Sequence, residues 1–554
     1  MTAPLAIRGG MVVDGTGGTP FPADVGIADG RVVEIGPHVP GHREIDASGR
    51  LVVPGFIDIH THYDPQVLWD GALTPSSWHG VTSVVAGNCG YSIAPARPES
   101  RDSLCRTLDK VEDMRFETLA AGIRWDFETY PEYLDLIRRR GTAINFGGYV
   151  GHTAVRIYVM GDEAYERAAT DDEIDRMRGV VRDSILGGAL GFSSDRAGFH
   201  VGDGGRPVPS IVAEQSEVEA LMRVTAELGQ GIVHVAPGER YAWVYDFQRT
   251  LRRPITWSSI LTYPAGTTSR APYGDKLAAH ADGRHAGADV WVQVTCRPIL
   301  QSISMAEPTS LYLVPGFSEF VAAGPERRKA LYADPTWRDL VSGQLDGGTY
   351  VNPRWETFTV SESDAHPELI GVSVADLARQ RRTTSFAVVC DLALADDLRT
   401  RFSVTFANDE EDGVTRLLTS EGCVLGLSDA GAHVGQICDA VMPTDFLSAW
   451  VRDRQLMPVE RGIRKLTGEL GDLLGIGRGY VREGAPADVV VIDWEHLGPG
   501  PIRRVRDMPA DGERLIADAP TGIDAIVVNG VPIAESGEPI PGVLPGTTLR
   551  SRPT

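Results

Sequence analysis

The sequence predicts an α/β protein: a (β/α)₈ TIM-like barrel with a small β-sandwich domain built from both chain termini. Apolar strands alternate with amphipathic helices through the middle of the chain, which is typical of a parallel α/β architecture. Eight such strands can be counted, the number that closes this barrel. Short β-branched segments occur near both ends, and neither end has enough strands to bury a sheet face alone.

The eight predicted strands are apolar segments bounded by turns, at 52–62, 83–90, 143–152, 189–195, 231–238, 254–261, 289–296 and 424–431. Helices are predicted at 171–186 and 214–228, where apolar residues recur at helical spacing. Thr170, which precedes three acidic residues, is the expected N-cap of the first of these helices.

Domain boundaries follow from this pattern. Residues 1–53 and 478–554 are predicted to form the β-sandwich domain, and residues 54–477 the barrel. Between about 300 and 423 the alternation fails over a stretch too long for a loop. We expect an ordered insertion there that overhangs the barrel mouth as a lid or substrate wall, with a solvent-side excursion as the alternative.

The composition argues against some classes of partner. The 53 basic and 75 acidic residues give a formal charge of −22, whereas nucleic acids and anionic membranes bind basic surfaces. Six cysteines in so long a chain make no disulfide framework, which favours the cytoplasm. We expect neither a signal peptide nor a membrane span, since no segment approaches about 20 consecutive apolar residues.

The first barrel strand ends in the pair His60 and His62. Residues two apart on a strand point to the same face, so both imidazoles can reach one metal ion. Because the carboxyl ends of barrel strands converge on one pocket, further ligands are expected at those ends. They are Cys89, His152, His234 and Asp429. Imidazole, thiolate and carboxylate together suit Zn²⁺ and suit Mg²⁺ or Ca²⁺ poorly.

Two neighbouring positions have other interpretations. His152 can equally orient another group or bind substrate. Asp195, at the end of the fourth strand, is expected to support the site or the fold instead of binding the ion.

Two segments carry a family resemblance. Residues 53–64, Val-Pro-Gly-Phe-Ile-Asp-Ile-His-Thr-His-Tyr-Asp, together with the β-segments of both termini, resemble the amidohydrolase superfamily. Residues 80–95, which contain Gly87-Asn88-Cys89-Gly90, are similar to the segment typical of its N-acyl-D-amino-acid deacylase (D-aminoacylase) branch. The resemblance covers nearly the whole chain apart from the insertion.

The resemblance implies a set of metal ligands: His60, His62, Cys89, His234 and Asp429. Cys89 would stand in place of the carboxylated lysine of other branches, and Asp429 would be the general acid/base. Strand six departs from the branch, which has a histidine ligand and a lysine there, whereas this chain has Ser258 and Ser259. We expect one or two zinc ions, with a mononuclear centre left open.

Substrate recognition also departs from the family pattern, because no arginine follows Asp429 closely. Arg297 and Arg156 are the candidates for gripping a substrate carboxylate, since a guanidinium binds it in bidentate fashion. The alternatives are that either arginine is a surface charge, or that the substrate has no free carboxylate.

These features predict a metal-dependent hydrolase of a carbon–nitrogen bond other than a peptide bond, acting on a small N-acyl amino acid of the D type or a related amide. The metal would lower the pKa of water to about 7. Asp429 would take the water proton and return it to the departing nitrogen, and His152 would donate to the developing oxyanion.

Two alternatives remain open at this point. A cyclic-amide hydrolase of hydantoinase or dihydroorotase type shares the fold and the metal chemistry, although the Cys89 motif favours the deacylase. A barrel that binds without catalysis is favoured only by the missing histidine on strand six. The sequence leaves open the stereochemistry of the substrate and whether the chain forms a homo-oligomer.

Overall fold

The computed structural model describes residues 2–198, 200–264, 270–306, 308, 311, 314–346 and 353–551. The chain forms two compact units. The first comprises Met1–Ile260, Lys276–Arg297 and Thr415–Thr554, and the second comprises Leu261–Asp275 and Pro298–Val414.

The first unit contains an eight-stranded parallel sheet in which each strand pairs with the next along the chain. The strands are β1 (Phe56–Asp58), β2 (Val81–Ala86), β3 (Asn145–Gly151), β4 (Gly191–Asp195), β5 (Ile232–Ala236), β6 (Ile255–Ser258), β7 (Val290–Val294) and β8 (Cys423–Leu425). The two edges meet just beyond β1 and β8, where Thr61 forms a parallel bridge with Ala430 and the His62 N–H donates to the Ala430 carbonyl at 2.7 Å. All eight predicted barrel strands are therefore present.

The predicted first strand, 52–62, is divided between two sheets, which corrects that prediction. Leu51–Pro54 pairs with both chain ends in the terminal sheet, and β1 starts only at Phe56. Pro54 has no N–H for a ladder, and the Gly55 N–H donates to the Asp488 carbonyl at 2.9 Å. A Cβ at Gly55 would collide with the Thr82 side chain, so the crossing between the sheets requires glycine.

The terminal sheet joins strands from both ends of the chain, as the sequence predicts. Its nine strands are Ala3–Val12, Phe21–Ala28, Arg31–Gly36, Gly41–Asp46, Leu51–Pro54, Val489–Ile492, Ile523–Val528, Val531–Glu535 and Glu538–Pro539. Ile7, Val25, Val489 and Val527 are fully buried in its core. Ile502–Met508 and Gly512–Ala517 form a separate two-stranded ribbon.

Helices follow most of the barrel strands. Those of the first unit and its borders are Arg101–Val111, Phe116–Gly122, Tyr130–Arg140, His152–Met160, Asp171–Gly187, Pro209–Val212, Gln215–Leu228, Tyr241–Leu251, Tyr273–His285, Glu411–Thr419, Met442–Asp445, Phe446–Asp453, Val459–Leu466 and Gly468–Leu474. Both predicted helices are present. The predicted cap is present too: the Thr170 hydroxyl accepts from Glu173 N–H, while the Glu173 carboxylate accepts from Thr170 N–H.

The second unit has its own core and covers most of the predicted insertion. Its antiparallel sheet consists of Ile299–Ser304, Thr359–Glu362 and Arg401–Ala407. Its helices are Ser318–Ala322, Pro325–Ala333, Pro335–Asp346, Val374–Arg381 and Ser385–Ala395. Phe317, Phe320, Trp337 and Phe386 pack together inside it. The role of lid or substrate wall stays a prediction.

Candidate metal centre

Five of the predicted site residues lie together where the barrel strands end. His60 and His62 follow β1, Cys89 follows β2, His234 lies on β5 and Asp429 follows β8. Their donor atoms form two groups that could each hold an ion, within the described part of the chain. One group is His60, Cys89 and His234, and the other is His60, His62 and Asp429.

His60 is the member that both groups share. Its Nε2 lies 3.1 Å from Asp429 Oδ1, 3.3 Å from His62 Nε2 and 3.5 Å from Cys89 Sγ. His234 Nε2 lies 3.9 Å from Cys89 Sγ on the other side of the sulfur. These separations are those of atoms that can face a common cation.

A turn at the end of β2 presents the Cys89 thiol. Gly87 has φ of 72°, and a Cβ there would collide with the Tyr149 carbonyl oxygen. The Asn88 side chain donates to the Val85 carbonyl at 2.9 Å and fixes the turn. Cys89 itself has φ of 53°, an unfavourable conformation for a residue with a side chain, and this strained backbone aims the sulfur at the histidines.

Asp429 also has a left-handed backbone, with φ of 47°. The preceding Ser428 hydroxyl donates to the buried Asp58 carboxylate at 2.5 Å, and the His60 N–H donates to the same carboxylate at 3.2 Å. Asp58 therefore ties the segment that carries Asp429 to the one that carries His60. Burial raises the pKa of Asp58 to about 6, although these hydrogen bonds oppose the shift.

Two residues that the sequence did not indicate contact the backs of the imidazoles. Gln293, fully buried on β7, places its Oε1 against His60 Nδ1 and its Nε2 3.4 Å from His234 Nδ1. Glu112 Oε1 lies 2.9 Å from His62 Nδ1, without the alignment of a hydrogen bond. Contacts of this kind orient ligands and tune their basicity.

The centre attracts positive charge. Burial lowers the pKa of His60, but the Cys89 thiolate and the Asp429 carboxylate outweigh it and raise that pKa to about 10. Burial alone would raise the pKa values of Cys89 and Asp429, but the histidines hold both well below their usual range. Buried anions beside imidazoles are a setting in which a proton or a metal cation is stabilised.

The donor set fits a transition-metal ion. Imidazole nitrogen, thiolate sulfur and carboxylate oxygen are the ligand types of zinc sites. His60 Nε2 and His62 Nε2 face each other at 3.3 Å, a separation that neutral lone pairs tolerate only with a cation or a hydrogen between them. Zinc would bind here through side chains already turned toward one point.

His152 and Arg156, predicted for catalysis and substrate binding, lie in a separate buried cluster. Both ring nitrogens of His152 are engaged, Nδ1 with Ser194 Oγ and Nε2 with Glu217 Oε1, each at 2.9 Å. Arg156 pairs with the other oxygen of Glu217 and donates to the Arg167 carbonyl. Both side chains are fully buried, so the geometry favours a structural role for each.

Arg297, the other predicted substrate ligand, is held by two carboxylates. Its Nε donates to Asp439 at 2.7 Å, and its Nη1 lies 3.2 Å from Asp445. Burial opposes the charge, yet these carboxylates raise the pKa of Arg297. The side chain keeps 13% of its surface exposed, unlike Arg156.

Asp195 organises a second polar cluster beside the Cys89 turn. It accepts from the Tyr91 hydroxyl at 2.7 Å and pairs with His200 Nδ1 at 2.6 Å. Burial lowers the pKa of His200, but the Asp195 carboxylate outweighs it and raises that pKa. No sequence pattern indicates His200 or Glu112, whereas Gln293 is distinguishable in the sequence as the polar residue of an apolar strand.

Comparisons with known proteins agree on one family. The sequence pattern of the amidohydrolase family matches residues 43–323. N-acyl-D-glutamate deacylase of Alcaligenes xylosoxydans xylosoxydans is 29% identical over 564 residues, covering 99% of this chain and 96% of that protein. D-aminoacylase of the same organism is 26% identical over 535 residues, with coverage of 96% and 94%. The structure of Bordetella bronchiseptica N-acyl-D-glutamate deacylase with zinc and a phosphonate inhibitor is 26% identical, covers 100% of both chains and has a TM-score of 0.69.

Proposed function

The chain belongs to the amidohydrolase family, whose pattern spans just over half of it, and from this premise we propose that it is a zinc-dependent deacylase of N-acyl-D-amino acids. The convergence of His60, His62, Cys89, His234 and Asp429 carries the proposal. The similarity to two deacylases over nearly their whole lengths supports the reaction class.

Zinc, when bound, supplies a Lewis acid that polarises the scissile carbonyl and makes water acidic enough to attack at neutral pH. Asp429 is the proposed general acid/base: its carboxylate takes the water proton and then delivers it to the departing nitrogen, which leaves poorly unless protonated. Its side chain is 25% exposed, whereas His60 is fully buried. Asp429 is thus more accessible to a substrate than the buried imidazoles of the centre.

The structure supports the predicted substrate ligands and the predicted oxyanion donor to different degrees. Arg297 is the better candidate for gripping a substrate carboxylate, since Arg156 is fully buried against Glu217. His152 as oxyanion donor is disfavoured by its contacts with Ser194 and Glu217. A donor to the oxyanion is then better sought near Asp195, where His200 keeps part of its surface exposed.

We also propose a cytoplasmic location. All six cysteines, each in the described part of the chain, are free thiols, which suits a reducing compartment. In the same described part, no helix has the length and apolar character that a membrane crossing needs.

The test is a substrate screen with metal content measured on the same sample. Matched N-acyl-D- and N-acyl-L-amino acids are assayed beside neutral amides and hydantoins. The proposal predicts hydrolysis of the D series in preference to the other three sets. Hydrolysis of hydantoins alone would identify the protein as a cyclic-amide hydrolase instead of a deacylase. A protein that binds no metal and cleaves none of these compounds would be a non-catalytic barrel.

A further inference from the structure

The three imidazoles of the centre differ in what lies behind them. His60 Nδ1 faces Gln293 Oε1, a carbonyl oxygen, and His62 Nδ1 faces the Glu112 carboxylate. His234 Nδ1 instead faces the NH₂ of the Gln293 amide at 3.4 Å. One side chain thus presents its acceptor end to one histidine and its donor end to another.

The direction of the Gln293 amide determines which ring nitrogen carries the hydrogen in neutral His60 and in neutral His234. A neutral imidazole has one N–H and one lone pair. An amide oxygen only accepts, so His60 carries a hydrogen on Nδ1, and in the neutral ring that binds an ion the lone pair is on Nε2, which faces Asp429. An amide NH₂ only donates, so His234 accepts at Nδ1 and carries its hydrogen on Nε2. The Gln293 NH₂ also donates to Thr256 Oγ1 at 3.1 Å.

The surroundings of His234 Nε2 agree with an N–H there. Ser258 Oγ lies 3.4 Å away and Cys89 Sγ 3.9 Å away, and both are acceptors for such a hydrogen. A nitrogen that carries a hydrogen has no lone pair for a metal ion. His234 then hydrogen-bonds to its neighbours and is not a ligand.

We propose that Gln293 is a positioning residue that sorts the histidines, so that the centre takes one divalent ion at His60, His62 and Asp429. The inference deepens the proposed function and rests on it. Both candidate ligand groups use His60, whose Nε2 has a single lone pair, so a second ion would depend on Cys89 and His234. Ser258, on strand six, offers that second ion only a hydroxyl.

The first experiment compares two histidine variants in metal binding. The chelated protein is titrated with Zn²⁺ by calorimetry, and the bound metal is counted after gel filtration. Wild type is expected to hold one ion. His60→Asn is expected to weaken its binding by more than about 100-fold, because losing a residue that only orients a ligand already costs about 10- to 100-fold. His234→Asn is expected to weaken it by less than about 10-fold, below that range. Two ions in wild type, or equal losses in the two variants, would overturn the inference.

The second experiment reverses the sorting with an isosteric change. A carboxylate accepts at both oxygens, so Gln293→Glu should place hydrogens on Nδ1 of both His60 and His234 and free His234 Nε2. A second ion is then expected at Cys89 and His234. The double variant Gln293→Glu, His234→Asn should return to one ion, which separates a new ligand from the effect of added negative charge. One ion in the single variant, or two in the double variant, would refute the sorting role.

These readouts separate the inference from the proposed function. Two bound ions together with hydrolysis of N-acyl-D-amino acids would overturn only the sorting by Gln293. No bound ion in wild type would overturn the metal-dependent function and this inference with it. If Gln293→Glu fails to fold, the comparison of His60→Asn with His234→Asn still decides.

Discussion

The backbone conformation of Asp429 limits which substitutions can test its role. Its φ of 47° is in the left-handed region, which Asn tolerates better than Ala does. Asp429→Asn is therefore expected to keep the fold and to lower kcat by about 10³-fold, because an amide cannot take the water proton. Steady-state kinetics and circular dichroism check this, with Asp453→Asn at an exposed site as the control. A kcat close to that of wild type would remove Asp429 from the mechanism.

The sequence predicts the proposed metal ligands better than it predicts the residues that orient them. His60 and His62 are predictable because a strand has a period of two, and Cys89 because of its turn. Gln293 meets His60 across 233 residues of chain, a contact that only the assembled barrel creates. The position of His152 at a strand end predicts a site residue, but the local pattern does not reveal that Glu217, on a later helix, contacts its ring nitrogen.

At the scale of secondary structure, Glu217 joins two helices through a buried ion pair. It lies on Gln215–Leu228 and holds Arg156 on His152–Met160. Glu217→Gln leaves the buried Arg156 without its counter-charge and is expected to destabilise the fold by about 3 kcal/mol. Urea denaturation measures this, with Glu227→Gln as the control: Glu227 pairs with two partly exposed arginines and should cost under about 1 kcal/mol. Equal, small effects in both variants would contradict the structural role of the cluster.

The strands show where sequence patterns suffice and where they do not. All eight barrel strands are predictable because buried parallel strands are continuous apolar runs between turns. The run at 52–62 misleads because Leu51–Pro54 and Phe56–Asp58 are equally apolar yet belong to different sheets. Only pairing partners far along the chain, such as Val489–Ile492, distinguish the two halves.

At the scale of the whole molecule, His280 makes stability depend on pH. It is buried, accepts from the Tyr245 hydroxyl and donates to the Glu421 carbonyl, each at 3.1 Å. Burial lowers its pKa to about 4, whereas an unfolded histidine titrates near 6.5. The unfolded chain therefore takes up this proton first as the pH falls, and stability that is full above pH 6.5 is lost between about 6.5 and 4, by about 3 kcal/mol.

The loss of folding stability caused by His280 is the difference between wild type and His280→Gln in how their free energies of unfolding change over this pH range. Gln can keep both hydrogen bonds but does not titrate, so the variant should lose about 3 kcal/mol less than wild type over that pH range. His42→Gln, at an exposed position of the terminal sheet, should follow wild type. Parallel pH profiles for wild type and His280→Gln would contradict the prediction.

The division into units was only partly visible in the sequence. The chain ends could be paired because neither has enough strands alone. The segment between about 300 and 423 was recognisable as an insertion but not as a unit with its own aromatic core, because Phe317 and Trp337 are distributed without a clear period. Residues 261–275 belong to the same unit, although nothing in their local pattern indicates it.

Metal-dependent hydrolysis at the centre shared by His60, His62 and Asp429 is tested by removing the metal and adding it back. The protein is stripped of metal and assayed on an N-acyl-D-amino acid while Zn²⁺ is added back. The stripped protein is expected to be inactive, and its activity is expected to rise in proportion to the added Zn²⁺ and to reach its maximum at one equivalent. Full activity in the stripped protein would contradict metal-dependent hydrolysis.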